Sequence, residues 1–203
     1  FRPPPVEATE ALKREYGLDS GKHIVFGGVV RPHKGIELIL EALAQIGRSE
    51  YRLVIVGQKN SHVENLLRNE RFRPYLVALG ASPKEQMPAH LAMADAMVLP
   101  LSDNLLAQSQ MPCKVFEAMA MAKPVIGSSV SDLPLVLKDC GLVVPPENPS
   151  ALADAITKLF DDCRLAREYG QRAREKCIRE YSGEATCANI MGIMEQVVSR
   201  ITN

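Results

Sequence analysis

Neither sign of charge dominates this chain. Its 24 Lys and Arg are matched by 24 Asp and Glu, so the formal net charge is zero. A general polyanion binder is basic, which excludes nucleic acid as the main partner and leaves room only for a local basic site for a small phosphate. Paired cysteines are lacking too. The five cysteines are an odd number and none forms CxxC. Neither a disulfide framework nor a zinc module is supported, and a reducing compartment, the cytoplasm, is expected. No apolar run approaches the ~20 residues of a bilayer span, and no signal-peptide pattern opens the chain. Against these absences stands ordinary globular composition: 203 residues, 46% hydrophobic and 24% charged. That excludes disorder and predicts one compact domain. The first residues, Phe1-Arg2-Pro3-Pro4-Pro5, lack Met and read as a piece of something longer.

Several catalytic signatures are missing as well. There is no GxGxxG after the first strand and no GxxxxGK[ST], because Lys34 follows Gly28 at the wrong distance and without the hydroxyl residue. No GxSxG and no HExxH occurs. The four histidines, His23, His33, His62 and His90, have no ligand spacing, and no metal is expected. Internal repeats are absent.

What is present is an alternation of strand and helix. Continuous apolar runs predict strands at His23 to Val30, Arg52 to Val56, Tyr75 to Leu79, Ala96 to Leu99, Pro124 to Ile126 and Gly141 to Val144. Helical spacing predicts helices at Val6 to Tyr16, Gly35 to Ile46, Ser61 to Asn69, Ser82 to about Ala94, Pro112 to about Met121 and Ser131 to Lys138. A long helical tail runs from Ser150, broken near Tyr181-Ser182-Gly183. A polar loop is expected at Ser102 to Gln110. Continuous rather than alternating strands are buried on both faces, so the fold class is α/β: a doubly wound parallel, Rossmann-like sheet. Ligands of such sheets bind at the carboxyl ends of the strands. Here those ends are Gly27-Gly28, Gly57, Gly80, Pro100 and Gly127-Ser128.

Two stretches carry candidate chemistry. Gly28 to Gly35 is a glycine loop with two cations, Arg31 and Lys34, just before a helix start. Backbone amides, a helix N-terminus and cations together can hold an anion, while a solvated loop with two charges is the plain alternative. The second stretch runs from Ser109 to Ile126. Its helix follows a polar loop, so the first amides, at Cys113 and Lys114, are free for a phosphate. Glu117 lies further along, where its carboxylate could grip the two hydroxyls of a ribose or merely face solvent.

Glu117-Ala118-Met119-Ala120-Met121-Ala122-Lys123-Pro124-Val125-Ile126 resembles the signature of the family-4-type glycosyltransferases (glycosyl transferases group 1) of the two-Rossmann-domain, GT-B fold. Gly28 to Gly35, Leu53 to Gly57, Ala94 to Pro100, Gly141 to Pro146 and Phe1-Arg2-Pro3 match further family segments in order. Three positions depart: Ser109 stands where the family has its first Glu, Val29 where it has a phosphate-binding Arg, and Ala122 where Gly is usual. The resemblance implies that residues 1–203 are the C-terminal, donor-binding domain. The N-terminal acceptor domain is absent, and about 183–203 form the helix that crosses back to it. It implies a retaining transfer of a glycosyl unit from a nucleotide-diphospho-sugar, with no cofactor or metal. Gly28, Arg31, Lys34, Cys113 and Lys114 would hold the donor diphosphate, and Glu117 the ribose. Leu79, Gly80 and Ala81 would meet the base, and Ser109 and Gln110 would face the sugar. No catalytic residue is assigned within this domain, and membrane contact at the inner face is expected only through the absent half. Two alternatives stay open: a nucleotide-sugar 2-epimerase, and a non-catalytic module with a degenerate donor site.

Overall fold

The apolar runs form parallel strands whose side chains alternate between two cores. The computed structural model describes residues 1–31 and 34–201. Pro32 and His33, in the glycine and cation loop, and Thr202 and Asn203, at the end of the expected crossover helix, lie outside the described residues. Strand β1 (Lys22–Gly27) pairs in parallel with β2 (Tyr51–Val56), and β2 with β3 (Leu76–Gly80). A second parallel set joins β4 (Met97–Leu99), β5 (Val125–Ser128) and β6 (Gly141–Val144). The two sets meet between β1 and β4 at an Ile24–Ala96 bridge. Beside it the Asp95 amide donates to the His23 carbonyl at 2.8 Å, and the Asp95 carboxylate accepts the His23 amide at 2.9 Å. The spatial order is therefore 3-2-1-4-5-6, the doubly wound arrangement with its switch point between β1 and β4.

The strand period of two assigns each side chain to a layer. Ile24, Phe26, Leu53, Ile55 and Val98 enter one core with α2 (Ile36–Ile46), α3 (Ser61–Arg68) and α8 (Pro149–Asp161). Val25, Val54, Val56, Met97 and Leu99 enter the other with α6 (Cys113–Ala120), α7 (Leu133–Val136) and α9 (Cys163–Tyr181). Ile36, Ile39, Leu40 and Leu43 of α2 are fully buried at helical spacing. Each such burial contributes roughly 1.5–3 kcal/mol. Helices α1 (Val6–Glu15) and α4 (Met87–Ala92) cover the second layer near β1.

Four elements differ from the sequence expectation. Strand β1 ends at Gly27, not Val30. The helix expected from Ser82 begins as a 3-10 turn at Lys84–Gln86 and becomes α-helical only at Met87. Pro88 is the cause, since proline lacks an amide and fits only a first helical turn. The polar loop contains a short helix, α5 (Leu105–Gln108), capped by Asn104, whose Oδ1 accepts the Ala107 amide at 2.9 Å. The long tail breaks first at Asp162, which ends α8 and caps α9 by accepting the Leu165 amide at 2.9 Å. It then breaks at Ser182, as expected, before α10 (Gly183–Ile201).

Candidate functional site

A cleft of about 320 Å³ opens over the carboxyl ends of β1 and β4, at the switch point. Phe26 lines it from β1, and Val98, Leu99, Pro100 and Leu101 from β4 and the residues after it. The β1 loop adds Lys34, α5 with its cap adds Asn104, Leu106 and Ala107, and α6 adds Cys113, Lys114 and Glu117. Glycine geometry brings these segments together. Gly57, at the end of β2, lies against Gly28: a Cβ there would sit 2.1 Å from the Gly28 carbonyl oxygen. Gly35 has φ +68°, and its Cβ would fall 2.4 Å from the Pro100 carbonyl oxygen. Only glycine allows the loop that carries Lys34 to close on the end of β4.

The cleft is electropositive at this end. Burial pushes the Lys34 ammonium below its ordinary pKa, and the nearby charges of Lys114 and then Arg31 push it further down. Lys114 Nζ stands 5.5 Å from the centroid of the Phe26 ring. Among the described residues, neither the Lys34 nor the Lys114 ammonium has a carboxylate partner. Helix α6 starts after Pro112 with no side-chain cap, so its first amides and the positive end of its dipole add to the field. At the other end of α6 the Arg174 guanidinium, from α9, donates to the Ala120 carbonyl, which anchors the helix without occupying its N-terminus. One turn along from Cys113, the half-buried Glu117 carboxylate lines the same cleft. Cys113 and Glu117 also line a second, neighbouring cleft of about 940 Å³ with Phe1, Arg2, Phe116 and Tyr181. Together these groups can hold a polyanion between cations and amides, beside an acceptor for hydroxyls.

The sequence candidates divide clearly. Lys34, Gln110, Cys113, Lys114 and Glu117 line one cleft, although the sequence separates them by up to eighty-odd residues. Gly28 lies at its edge, with Lys114 Nζ 3.6 Å from the position of its absent Cβ. Arg31 is exposed and outside the lining. The Ser109 hydroxyl donates to the Leu106 carbonyl at 3.0 Å within its own turn. Leu79, Gly80 and Ala81 lie at the end of β3, on the sheet's outer edge and outside the lining. Phe26 and Asn104 were not singled out by the sequence. Asn104 had a usable signal, a capping residue three before Ala107. Among the described residues no group of His, Cys, Asp or Glu is arranged to hold a metal, and no helix is long and apolar enough to cross a membrane.

The sheet order 3-2-1-4-5-6 with this cleft at its switch point defines a Rossmann-like fold of the kind found in one half of the GT-B structures it matches. The chain belongs to the family of glycosyl transferases group 1, whose model matches residues 21–162. It is 26% identical over 204 residues to an alpha-D-kanosaminyltransferase of Streptomyces kanamyceticus, across 97% of this chain and 52% of that protein. It is similar to the structure of sucrose-phosphate synthase from Thermosynechococcus elongatus, with TM-score 0.74 and 27% identity over 98% of this chain and 50% of that one. The fold also matches Anabaena HepE in complex with UDP, with TM-score 0.75 and 17% identity over 98% of this chain and 53% of that one. The chain spans about half the length of the curated relatives it matches.

Proposed function

We propose that this chain is the C-terminal, donor-binding half of a retaining glycosyltransferase and holds a nucleotide-diphospho-sugar in the switch-point cleft. The observation that carries the reading is the meeting of Lys34, the uncapped start of α6 and Glu117 in one cleft. The cation and the amides of Cys113 and Lys114 bind the diphosphate. As the glycosyl bond breaks, charge grows on the leaving diphosphate, and these fixed positive groups stabilise it more in the transition state than in the ground state. Glu117 accepts hydrogen bonds from two ribose hydroxyls, which are strong because they are charge-assisted. Gln110 faces the sugar, and Leu79, Gly80 and Ala81 meet the base if the ligand extends along the strand ends toward β3. Arg31 contributes charge at a distance. The reading routes neutralisation through these groups and no metal.

The acceptor belongs to a second domain, which α10 reaches. That helix leaves apolar Ile190, Met191, Met194 and Val197 exposed at helical spacing, the face expected of a segment that packs on another unit. The relatives' double length and the UDP named for the HepE complex support this reading. An odd number of cysteines without CxxC supports a reducing compartment, the cytoplasm, for it.

Calorimetric titration of the chain with UDP, GDP, ADP and inorganic pyrophosphate, each with and without EDTA, tests the reading. One nucleoside diphosphate is expected to bind more tightly than pyrophosphate, unaffected by EDTA, and to lose about tenfold in affinity in Lys34→Gln. Equal failure of all three nucleotides overturns it.

A further inference from the structure

We propose that the Lys114 side chain, seated on the Phe26 ring, is the second cation of the diphosphate site, and that Phe26 is the residue that positions it. This rests on the cleft being a diphosphate site. The resemblance expects an Arg at position 29 of the β1 loop. Val29 there is an exposed apolar residue, and the obvious replacement, Arg31, is exposed and outside the cleft. Lys114 comes from the opposite wall. It lines the cleft and lies 3.6 Å from where a Gly28 Cβ would stand, so its ammonium rests against the end of β1. Its distance of 5.5 Å to the Phe26 centroid is within cation–π range. Lys34 feels the Lys114 charge ahead of that of Arg31.

The arrangement solves a specific difficulty. A lysine carries a point charge on a four-carbon stem and loses much rotamer freedom when it grips a ligand. The face of Phe26, itself held in the core between β2 and β4, fixes the ammonium before the ligand arrives, so less ordering is left for binding. Lys34 from the β1 loop and Lys114 from α6 then approach a diphosphate from the two sides of the switch point. The two ammonium groups repel each other, and among the described residues neither has a carboxylate partner. An anion of two or more charges removes that repulsion.

The test is a calorimetric double-mutant cycle with inorganic pyrophosphate and UDP as probes. Lys114→Gln is expected to weaken pyrophosphate at least tenfold, and Arg31→Gln less than threefold. Phe26→Leu is expected to weaken it three- to tenfold in the parent but to have no further effect in Lys114→Gln, and Phe26→Tyr to restore near-parent affinity. A structural role for Phe26 would lower affinity by the same factor in both backgrounds, which overturns the positioning role. An Arg31→Gln loss as large as that of Lys114→Gln overturns the assignment of the cation. If Phe26→Leu does not fold, Phe26→Met, which keeps the volume and removes the ring face, closes the same cycle in the parent and in Lys114→Gln. Pyrophosphate binding that depends on Lys114 without any binding of UDP, GDP or ADP upholds this clamp and overturns the nucleotide-sugar reading. A parent chain that binds none of them overturns both.

Discussion

Gly35 and Pro100 touch: a single methyl group on Gly35 would lie 2.4 Å from the Pro100 carbonyl oxygen. That contact closes the loop bearing Lys34 over the end of β4. Gly35→Ala adds both this clash and a side chain at φ +68°. It is expected to cost about 2–4 kcal/mol of stability, read by urea denaturation. Pyrophosphate affinity should fall with it, because Lys34 is displaced. Unchanged stability would show that the loop relaxes freely and does not set the cleft.

Glu117→Gln keeps the shape of the side chain and removes its charge. Nucleoside diphosphate affinity is expected to fall by about 1–2 kcal/mol, with pyrophosphate affinity and melting temperature nearly unchanged. The carboxylate is half-buried and has no hydrogen-bond or ion-pair partner among the described residues, so the fold does not depend on it. Equal losses for both ligands would argue against a ribose contact.

Ala122 sits at φ +54°, at the position where the family resemblance has glycine. A left-handed backbone costs alanine more than glycine. Ala122→Gly is therefore expected to stabilise the chain by about 0.5–1 kcal/mol in thermal or urea melting, with cleft affinity unaltered. A loss of stability would mean that the methyl group contributes packing that outweighs the strain.

His23 is fully buried, and both ring nitrogens lack hydrogen-bond partners among the described residues. Burial lowers its pKa from 6.5 to about 4; the Asp95 carboxylate opposes the shift, and Lys13, Arg52 and Lys22 add to it. The unfolded chain therefore takes up this proton first as pH falls. Stability is intact above about pH 6.5 and is lost as pH drops toward 4, by on the order of 2–3 kcal/mol. Urea midpoints of the parent and His23→Leu between pH 7 and 4 are expected to diverge in slope, the parent being steeper. Parallel curves would place the acid sensitivity elsewhere.

The sheet was legible because its signal is local. Ile24-Val25-Phe26 and Leu53-Val54-Ile55-Val56 are continuous apolar runs ending in glycine, and the structure makes each a doubly buried strand. The fingerprint from Glu117 to Ile126 located α6 and β5 for the same reason. Boundaries were less legible where one residue decides between neighbours. Pro88 delays α4, and Asp162 ends one helix while starting the next. The family resemblance already grouped Lys34 and Lys114 with Arg31. What stayed hidden is which cations meet, because that is non-local: the cleft takes in Lys34 and Lys114, eighty residues on, and leaves Arg31 outside its lining. Phe26 read only as a strand residue, since nothing local shows that a lysine from another helix lies on its ring.

The meeting of β1 and β4 has a mechanical consequence. Backbone hydrogen bonds fasten this seam at His23, Asp95 and Ala96, at the end away from the cleft. Toward the cleft, Phe26 and Val98 pack into one core and Val25, Met97 and Leu99 into the other. The strands that wall the cleft therefore also seal both cores, so a change of side-chain volume at Val98 or Leu99 acts on cleft and core together.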